Sequence, residues 1–190
     1  NIKKNKENFE LALYNYYPHL RLPYRTYIYS NLAVKSYFNK YFICFEKGLL
    51  IMEGDGTYTY PTGIPQTEFF HHFLKIDNTV YVFGEQEIYS STDMGNSWQV
   101  VVENIPNYIL RPSIYDYHNL ENEIIITRND KLSHIKITND SLTIKPLVYE
   151  GLENNKITSV IKHKEDVYVT TTSGTFKRPF NEFYEYIENK

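Results

Sequence analysis

Cysteine is almost absent from this 190-residue chain, in which Cys44 is the single example. An intrachain disulfide is therefore excluded, and so is a metal site built from several thiolates of this chain. Cys44 lies in the apolar run YFICF, which is typical of a core strand. We expect it to be an inert buried thiol and not a nucleophile.

The chain also lacks an excess of positive charge and a long hydrophobic run. Lys and Arg number 20 against 23 Asp and Glu, which gives a formal net charge of -3. No basic field is present to attract nucleic acid or an anionic lipid surface, so we predict no nucleic-acid partner. No segment approaches the roughly 18 apolar residues of a membrane-spanning helix, so we predict no membrane span.

Aromatic side chains are abundant, above all 19 Tyr and 11 Phe. Such residues beside β-branched neighbours favour strands over helices. Helical spacing is confined to the beginning of the chain, before Pro18. We expect residues 1–31 to form a separate N-terminal segment, with a short helix or irregular stretch at 6–16 and an outer strand at 24–30.

A repeat of about 40 residues runs through the rest of the chain. Each copy contains a short β-rich run, and the last residues of successive runs are about 38, 44 and 43 positions apart. Each run is preceded by one candidate strand and followed by two more, with polar or Gly-containing turns between them. The last residues of the four runs are Phe45, Phe83, Thr127 and Thr170.

This period predicts an all-β fold, namely a β-propeller-like array of about four four-stranded antiparallel blades. The blades are expected at residues 32–66, 67–107, 108–153 and 154–190. Four blades without a disulfide leave sheet edges and apolar faces to be covered. We therefore expect the chain either to be part of a larger propeller or to close with the strand at 24–30.

SSTDMGNSW, residues 90–98, is the most specific motif and contains the single Trp. The carboxylate of Asp93 can accept hydrogen bonds from N–H groups of its own turn, and Gly95 permits a positive φ. Trp98 can bury its ring against the turn and the neighbouring blade. Calcium needs more oxygen ligands than this motif offers, so we predict a structural turn with no metal and no cofactor.

From Ser91 to Trp98 the pattern Ser-x-Asp-x-Gly-x-x-Trp is complete, and it resembles the Asp box, or BNR repeat, of sialidase-like and sortilin-like propellers. The other three copies keep the pattern only in part. The resemblance implies a β-propeller, and it implies that this turn lies on the face opposite the substrate pocket. Ser91, Asp93, Gly95 and Trp98 are therefore assigned structural roles.

The same resemblance leaves an enzyme as one alternative, a fragment of a sialidase-like glycoside hydrolase. Sialidases bind the substrate carboxylate with three arginines and use a Tyr nucleophile activated by a Glu. Arg21, in RLP, and Arg111, in RP, are the candidate catalytic arginines. A sialidase needs six blades, however, and spacing alone assigns no Tyr–Glu pair in this chain.

Adjacent histidines offer a further candidate for metal binding. His71 and His72 fall on an expected strand, where successive side chains point to opposite faces. We therefore expect that the two imidazoles do not chelate one metal ion together.

The favoured hypothesis is a non-catalytic recognition or scaffold module that binds a protein or glycan partner through its loop face. That face carries the turn after the second strand of each blade and the connections between blades. The non-catalytic propellers that the chain resembles include assembly factors and sorting receptors, so we expect a secreted, periplasmic or cell-surface location. The candidate binding residues are Glu85, Tyr108, Arg111 and Arg128.

Overall fold

Nearly all regular structure in the computed structural model is β, so the predicted fold class is confirmed. The expected helix at 6–16 and strand at 24–30 lie outside the residues that the structure describes. The described stretches are residues 34–45, 48–106, 115–138 and 141–187.

The strands of the described residues form four antiparallel sheets, numbered here in chain order. Within every sheet, strands that follow each other in sequence are paired, so each sheet is a meander. Sheet 1 contains β1 (Val34–Tyr37), β2 (Lys40–Phe45), β3 (Gly48–Glu53) and β4 (Tyr58–Thr59), and sheet 2 contains β5 (His72–Ile76), β6 (Thr79–Phe83), β7 (Ile88–Ser91) and β8 (Gln99–Val102). Sheet 3 contains β9 (Asp116–Leu120), β10 (Glu123–Arg128), β11 (Lys131–Thr138) and β12 (Ser141–Pro146), and sheet 4 contains β13 (Ile157–His163), β14 (Asp166–Thr171) and β15 (Thr175–Pro179), after which α1 (Phe180–Phe183) follows.

The first hairpins of the four sheets share one backbone feature. Each turns in two residues, and the first turn residue has a positive φ. Two-residue hairpins favour turns with positive φ because their twist matches that of the strands. None of the four residues is glycine, so glycine content alone does not mark these turns. They are Phe38 (53°), Asp77 (51°), Glu121 (57°) and Lys164 (55°).

Sheet 4 differs from the expected four-stranded blade, because it has three strands within the described residues. After β15 the chain forms the single turn of α1, whose Phe183 is buried. It then pairs with the end of sheet 3. The N–H of Val148 donates to the C=O of Glu185 at 2.8 Å, and the N–H of Ile187 donates to the C=O of Pro146 at 3.1 Å.

Aromatic contacts explain why this C-terminal segment joins sheet 3. The buried ring of His134 on β11 lies 4.8 Å from the ring of Tyr184 and stacks on Tyr186 at 6.0 Å. The Tyr186 hydroxyl is also 2.8 Å from Nδ1 of His134. These contacts hold the segment across sheets 3 and 4, where it cannot also serve as a regular fourth strand beside β15.

Apolar layers lie between consecutive sheets and define the core. Phe42 of sheet 1 meets Phe73 of sheet 2 edge to face, with ring centroids 5.9 Å apart. Similar layers of buried Ile, Leu and Val join sheet 2 to sheet 3 and sheet 3 to sheet 4. Within the described residues no core cluster joins sheets 1 and 4, and Ile161 on the outer face of sheet 4 is 51% exposed. The described residues therefore form an open array.

Two buried histidines lie where sheet 2 meets sheet 3. Nε2 of His71 is 3.0 Å from the C=O of Gly84, and Nε2 of His72 is 2.7 Å from Oδ1 of Asn119. Both partners are acceptors, because the amide of Asn119 donates to the C=O of Phe73. Each Nε2 is thus the donor, which leaves a buried Nδ1 without a hydrogen-bond partner on each ring. Burial lowers the pKa of His71 to about 4 and that of His72 to about 3.

The two rings do not point to opposite faces as expected. His71 precedes β5, so its side chain does not follow the alternation of side chains along that strand. Both rings therefore contact the same aromatic neighbour. The ring centroid of Tyr117 lies 5.4 Å from that of His71 and 4.7 Å from that of His72.

Lowering the pH from about 6.5 to 5 should destabilise the protein. His71 and His72 are neutral in the folded state and bind protons when the chain unfolds, so their contribution is present above the unfolded pKa and is lost as pH falls. Each should lower the free energy of unfolding by about 1.4 kcal/mol per pH unit. Urea denaturation across this range measures the slope.

His72→Gln is the control, since its amide can still donate to Asn119. In this variant, the slope of the free energy of unfolding against pH should be smaller by about 1.4 kcal/mol per pH unit. An unchanged slope would contradict the assignment of a neutral buried His72.

Candidate functional site

The meander places the loops of every sheet at two opposite ends. One, the hairpin end, carries the turns after first and third strands at residues 38–39, 54–57, 77–78, 92–98, 121–122 and 164–165. The other, the connection end, carries the turns after the second strands and the segments that connect one sheet to the next. These are residues 66–71, 84–87, 103–106, 129–130, 147–156 and 172–174.

The turn that follows β7, at the hairpin end, is organised by the carboxylate of Asp93. Oδ1 accepts the N–H of Ser97 at 2.9 Å and the hydroxyl of Ser91 at 2.8 Å, and Oδ2 accepts the hydroxyl of Ser97 at 2.6 Å. Hydrogen bonds from Ser97, first from its hydroxyl and then from its N–H, lower the pKa of Asp93. The oxygen atoms of this carboxylate are thus used within its own turn.

Gly95 lets the same turn pack closely against sheet 1. Its N–H donates to Oγ of Ser91 at 2.9 Å, and its C=O accepts the indole N–H of Trp98 at 2.9 Å. Its φ is +89°, and a Cβ there would lie 2.5 Å from Cε1 of Phe42 and 2.6 Å from Cδ1 of Ile51. Trp98 is buried and meets Phe42 edge to face at 6.3 Å.

The chain that leaves sheet 1 is bonded to this turn. Thr62 donates its N–H to the C=O of Asn96 at 3.2 Å and accepts the N–H of Trp98 at 3.0 Å. The next residue, Gly63, approaches so closely that a Cβ would lie 2.0 Å from the C=O of Trp98. The turn therefore joins sheet 1 to sheet 2.

Two of the four candidate binding residues are described, and both lie at the connection end. Glu85 and Arg128 are exposed, and neither forms an ion pair with another described residue. The structure does not bring their side chains together. Tyr108 and Arg111 lie outside the described residues, as does Arg21.

Charge is unevenly distributed over the connection end. At sheet 2 its described residues carry four acidic side chains and no Lys or Arg, whereas at sheets 3 and 4 cations and acids are mixed. Two of those acids bind backbone amides, with Asp130 accepting from Asn154 at 3.1 Å and Glu153 from Gly151 at 2.8 Å. The acidic residues at sheet 2 are Glu68, Glu85, Glu87 and Glu103.

A tyrosine with two glutamates lies beneath this acidic region, and sequence reasoning missed it. The hydroxyl of Tyr89 contacts Oε2 of Glu68 at 2.9 Å and also Oε2 of Glu87. Glu87 and Tyr89 are two positions apart in the chain, but Glu68 comes from another part of it. Tyr89 is only 2% exposed, and burial raises its pKa. A buried phenol that holds its proton is unsuited to act as a nucleophile.

A shallow open cavity of about 390 Å³ lies at the hairpin end, where no binding residue was predicted. Nζ of Lys162 is 2.6 Å from Oε1 of Glu121 and lies 3.9 Å above the ring of Phe180. The charge of this lysine is therefore matched within the protein. The lining residues are Asn119, Glu121, Ile161, Lys162 and Lys164.

The residues that the structure describes offer neither a metal-binding cluster nor a membrane-spanning helix. No group of three or more His, Cys, Asp or Glu among them could hold a metal ion. None of their helices has the length and apolar character that crossing a membrane requires.

Comparison with known proteins bears on the fold. No protein-family model matches the chain, and no curated protein does. Among solved structures, it is similar to YCF48 bound to D1 peptide, with a TM-score of 0.54 and 13% identity over 82% of this chain and 52% of that one. It is also similar to the extracellular domain of BT4673 from B. thetaiotaomicron, with a TM-score of 0.50 and 12% identity over 83% of this chain and 23% of that one.

Both structures are β-propeller-like. At this level of identity the likeness shows the fold alone. The chain thus has a β-propeller-like fold, and it spans 52% of the YCF48 chain and 23% of the BT4673 chain.

Gly95→Ala should destabilise the protein by about 2–4 kcal/mol. The new methyl group would meet Phe42 and Ile51 at well below contact distance, at a φ that side chains rarely adopt. Urea denaturation measures the loss.

Gly54→Ala provides a matched control, since a Cβ at Gly54 meets nothing within 4 Å. It should change the free energy of unfolding by less than about 0.5 kcal/mol. Equal effects of the two substitutions would contradict the close seating of Gly95 on sheet 1.

Proposed function

We propose that this chain is a non-catalytic β-propeller module that binds a protein or glycan partner through its connection end. The observation that carries the proposal is a pair of exposed, opposite charges at the connection end. Glu85 and Arg128 present exposed, opposite charges without an ion-pair partner among the described residues. The polar groups of the Asp93 turn, at the other end, are bonded within the protein.

Exposed charges on rigid elements suit recognition, because complementary charges steer a partner and fix its orientation. Arg128 ends β10, and Glu85 lies in the turn that follows β6, where the carboxylate of Glu68 holds its N–H. Tyr108 and Arg111, in the connection between sheets 2 and 3, belong to the same proposed surface.

The similar structures support a peptide or protein as the partner and a location outside the cytoplasm. YCF48 was solved with the D1 peptide, and the BT4673 domain is extracellular. By analogy we favour a protein partner over a glycan, and a secreted, periplasmic or cell-surface location.

We also propose that residues 91–98 are an Asp box, in which Ser91, Asp93, Gly95 and Trp98 have structural roles. The blades would then be 32–66, 67–107, 108–153 and 154–190, as expected from the repeat. The open array of described sheets supports membership of a larger propeller, or closure by the segment at 24–30.

A sialidase-like hydrolase is not the function we propose. Its candidate arginines, Arg21 and Arg111, lie outside the described residues. Tyr89, which lies beside Glu68 and Glu87, is buried away from a substrate.

Reversing both charges, in the double variant Glu85→Lys with Arg128→Glu, should abolish partner capture. Tagged wild type and variant are used to pull proteins from extracts of the source organism, and bound proteins are quantified by mass spectrometry. At least one protein should fall by about tenfold or more, because a reversed pair of contacts costs more than about 1.4 kcal/mol. A glycan array run with the same proteins tests the glycan alternative.

The matched control reverses one cation and one acid near the hairpin end, in Lys136→Glu with Glu165→Lys. Both side chains are exposed and form no ion pair with described residues. This control should bind as wild type does. The same set of bound proteins for all three chains, with no glycan distinguishing them, would refute a binding surface at the connection end.

A further inference from the structure

The turn at residues 84–87 is fastened to the chain that enters sheet 2. Within the turn, the N–H of Gly84 donates to the C=O of Glu87 at 2.9 Å. Oε1 of Glu68 accepts the N–H of Glu85 at 3.0 Å. The contact is close, since a Cβ on Gly84 would lie 2.0 Å from that same oxygen. The carboxylate of Glu68 therefore fixes the segment that displays Glu85.

The second oxygen of Glu68 belongs to a network that is one proton short when both carboxylates are ionised. The Tyr89 hydroxyl contacts Oε2 of Glu68 and Oε2 of Glu87. A phenol has one proton to donate, and an ionised carboxylate only accepts. With both glutamates charged, the phenol proton can serve only one of the two contacts. The other contact then has no hydrogen bond, and two negative charges lie on either side of the Tyr89 oxygen. A proton on one carboxyl completes both bonds.

The surroundings favour keeping that proton. Tyr89 is buried, and Glu68 and Glu87 are partly buried. Burial raises the pKa of Glu68. Hydrogen bonds from the Tyr89 hydroxyl and the Glu85 N–H oppose the rise but do not cancel it, and the charge of Glu87 adds to it. Among the described residues, the other titratable groups that face the turn are Glu85 on the turn itself and the neutral His71, bonded to Gly84. No described Lys or Arg forms an ion pair with either carboxyl group.

We propose that Glu68, Tyr89 and Glu87 form a proton-dependent latch. A proton shared by the two carboxyl groups through the Tyr89 hydroxyl holds the turn at 84–87 against the chain entering sheet 2. Loss of that proton to solvent leaves two repelling carboxylates and loosens the turn. The latch does not depend on the proposed binding function, although it would control how firmly Glu85 is displayed.

The direction of the pH effect follows from the raised pKa of Glu68. Stabilisation by a group whose folded pKa is raised is present at low pH and is lost as pH rises through that folded pKa. The turn should therefore be tightest in mildly acidic solution. The buried histidines act in the opposite sense, since they weaken the whole fold as pH falls.

Amide hydrogen exchange of the whole 190-residue chain tests the latch. Protection factors for Glu85 and Gln86, corrected for the intrinsic pH dependence of exchange, are measured by NMR between about pH 5 and 8. In the wild type they should fall by about tenfold or more across this range. A flat profile would overturn the proposal.

Glu68→Gln reproduces the protonated state. Its oxygen can accept the Glu85 N–H, and its amide can donate to the Tyr89 oxygen, which leaves the phenol proton for Glu87. The variant should keep high protection at every pH tested. If its protection instead falls as the wild type's does, the shared proton is not the cause.

Two further variants separate the latch from charge and folding effects. Glu85→Gln removes a nearby charge but keeps the N–H, so its pH profile should match that of the wild type. Tyr89→Phe removes the bridge, so low protection is expected even at about pH 5. Should a variant fail to fold, carboxyl ¹³C titration of Glu68 in the wild type decides, because an unshifted midpoint would exclude the latch.

Discussion

The array depends on how sheet 1 is fastened to sheet 2, and the carboxylate of Asp93 is the centre of that junction. By collecting one N–H and two hydroxyls it closes a turn short enough to seat Gly95 on Phe42 and Ile51. Trp98 then covers the junction and binds the departing chain at Thr62. The polar network of the turn and the apolar contact of Gly95 with sheet 1 thus lie side by side at the junction.

The two ends of the array differ in the polar networks that hold their turns. At the hairpin end, the Asp93 network holds one turn, and Lys162 forms an ion pair with Glu121 in another. At the connection end, Glu85 and Arg128 are exposed, while the Tyr89 network beneath Glu85 holds its turn. Opposite charges displayed on elements that the core holds in place suit the binding surface proposed for the connection end.

Much of the fold was predictable because strands alternate with a period of two and the repeat recurs at nearly constant spacing. The Asp93 turn was predictable because the roles of its residue types depend on contacts within the turn itself. Contacts between distant residues were not, and Glu68 with Tyr89 is the clearest case, being 21 positions apart. Sheet 4 has three strands within the described residues, because the segment after α1 packs on the distant His134 and does not pair with β15. The faces of His71 and His72 were misjudged because β5 begins at His72, so that His71 lies before the strand.

The most direct test of this account is residue-resolved hydrogen exchange of Asp93→Ala. Removal of the carboxylate should lower the protection of amides in β2 and β3 of sheet 1 as well as in β8, because the turn fastens the two sheets together. Loss of protection confined to residues 94–97, with sheet 1 unchanged, would show that the Asp93 turn is a local feature and that the sheets are joined without it.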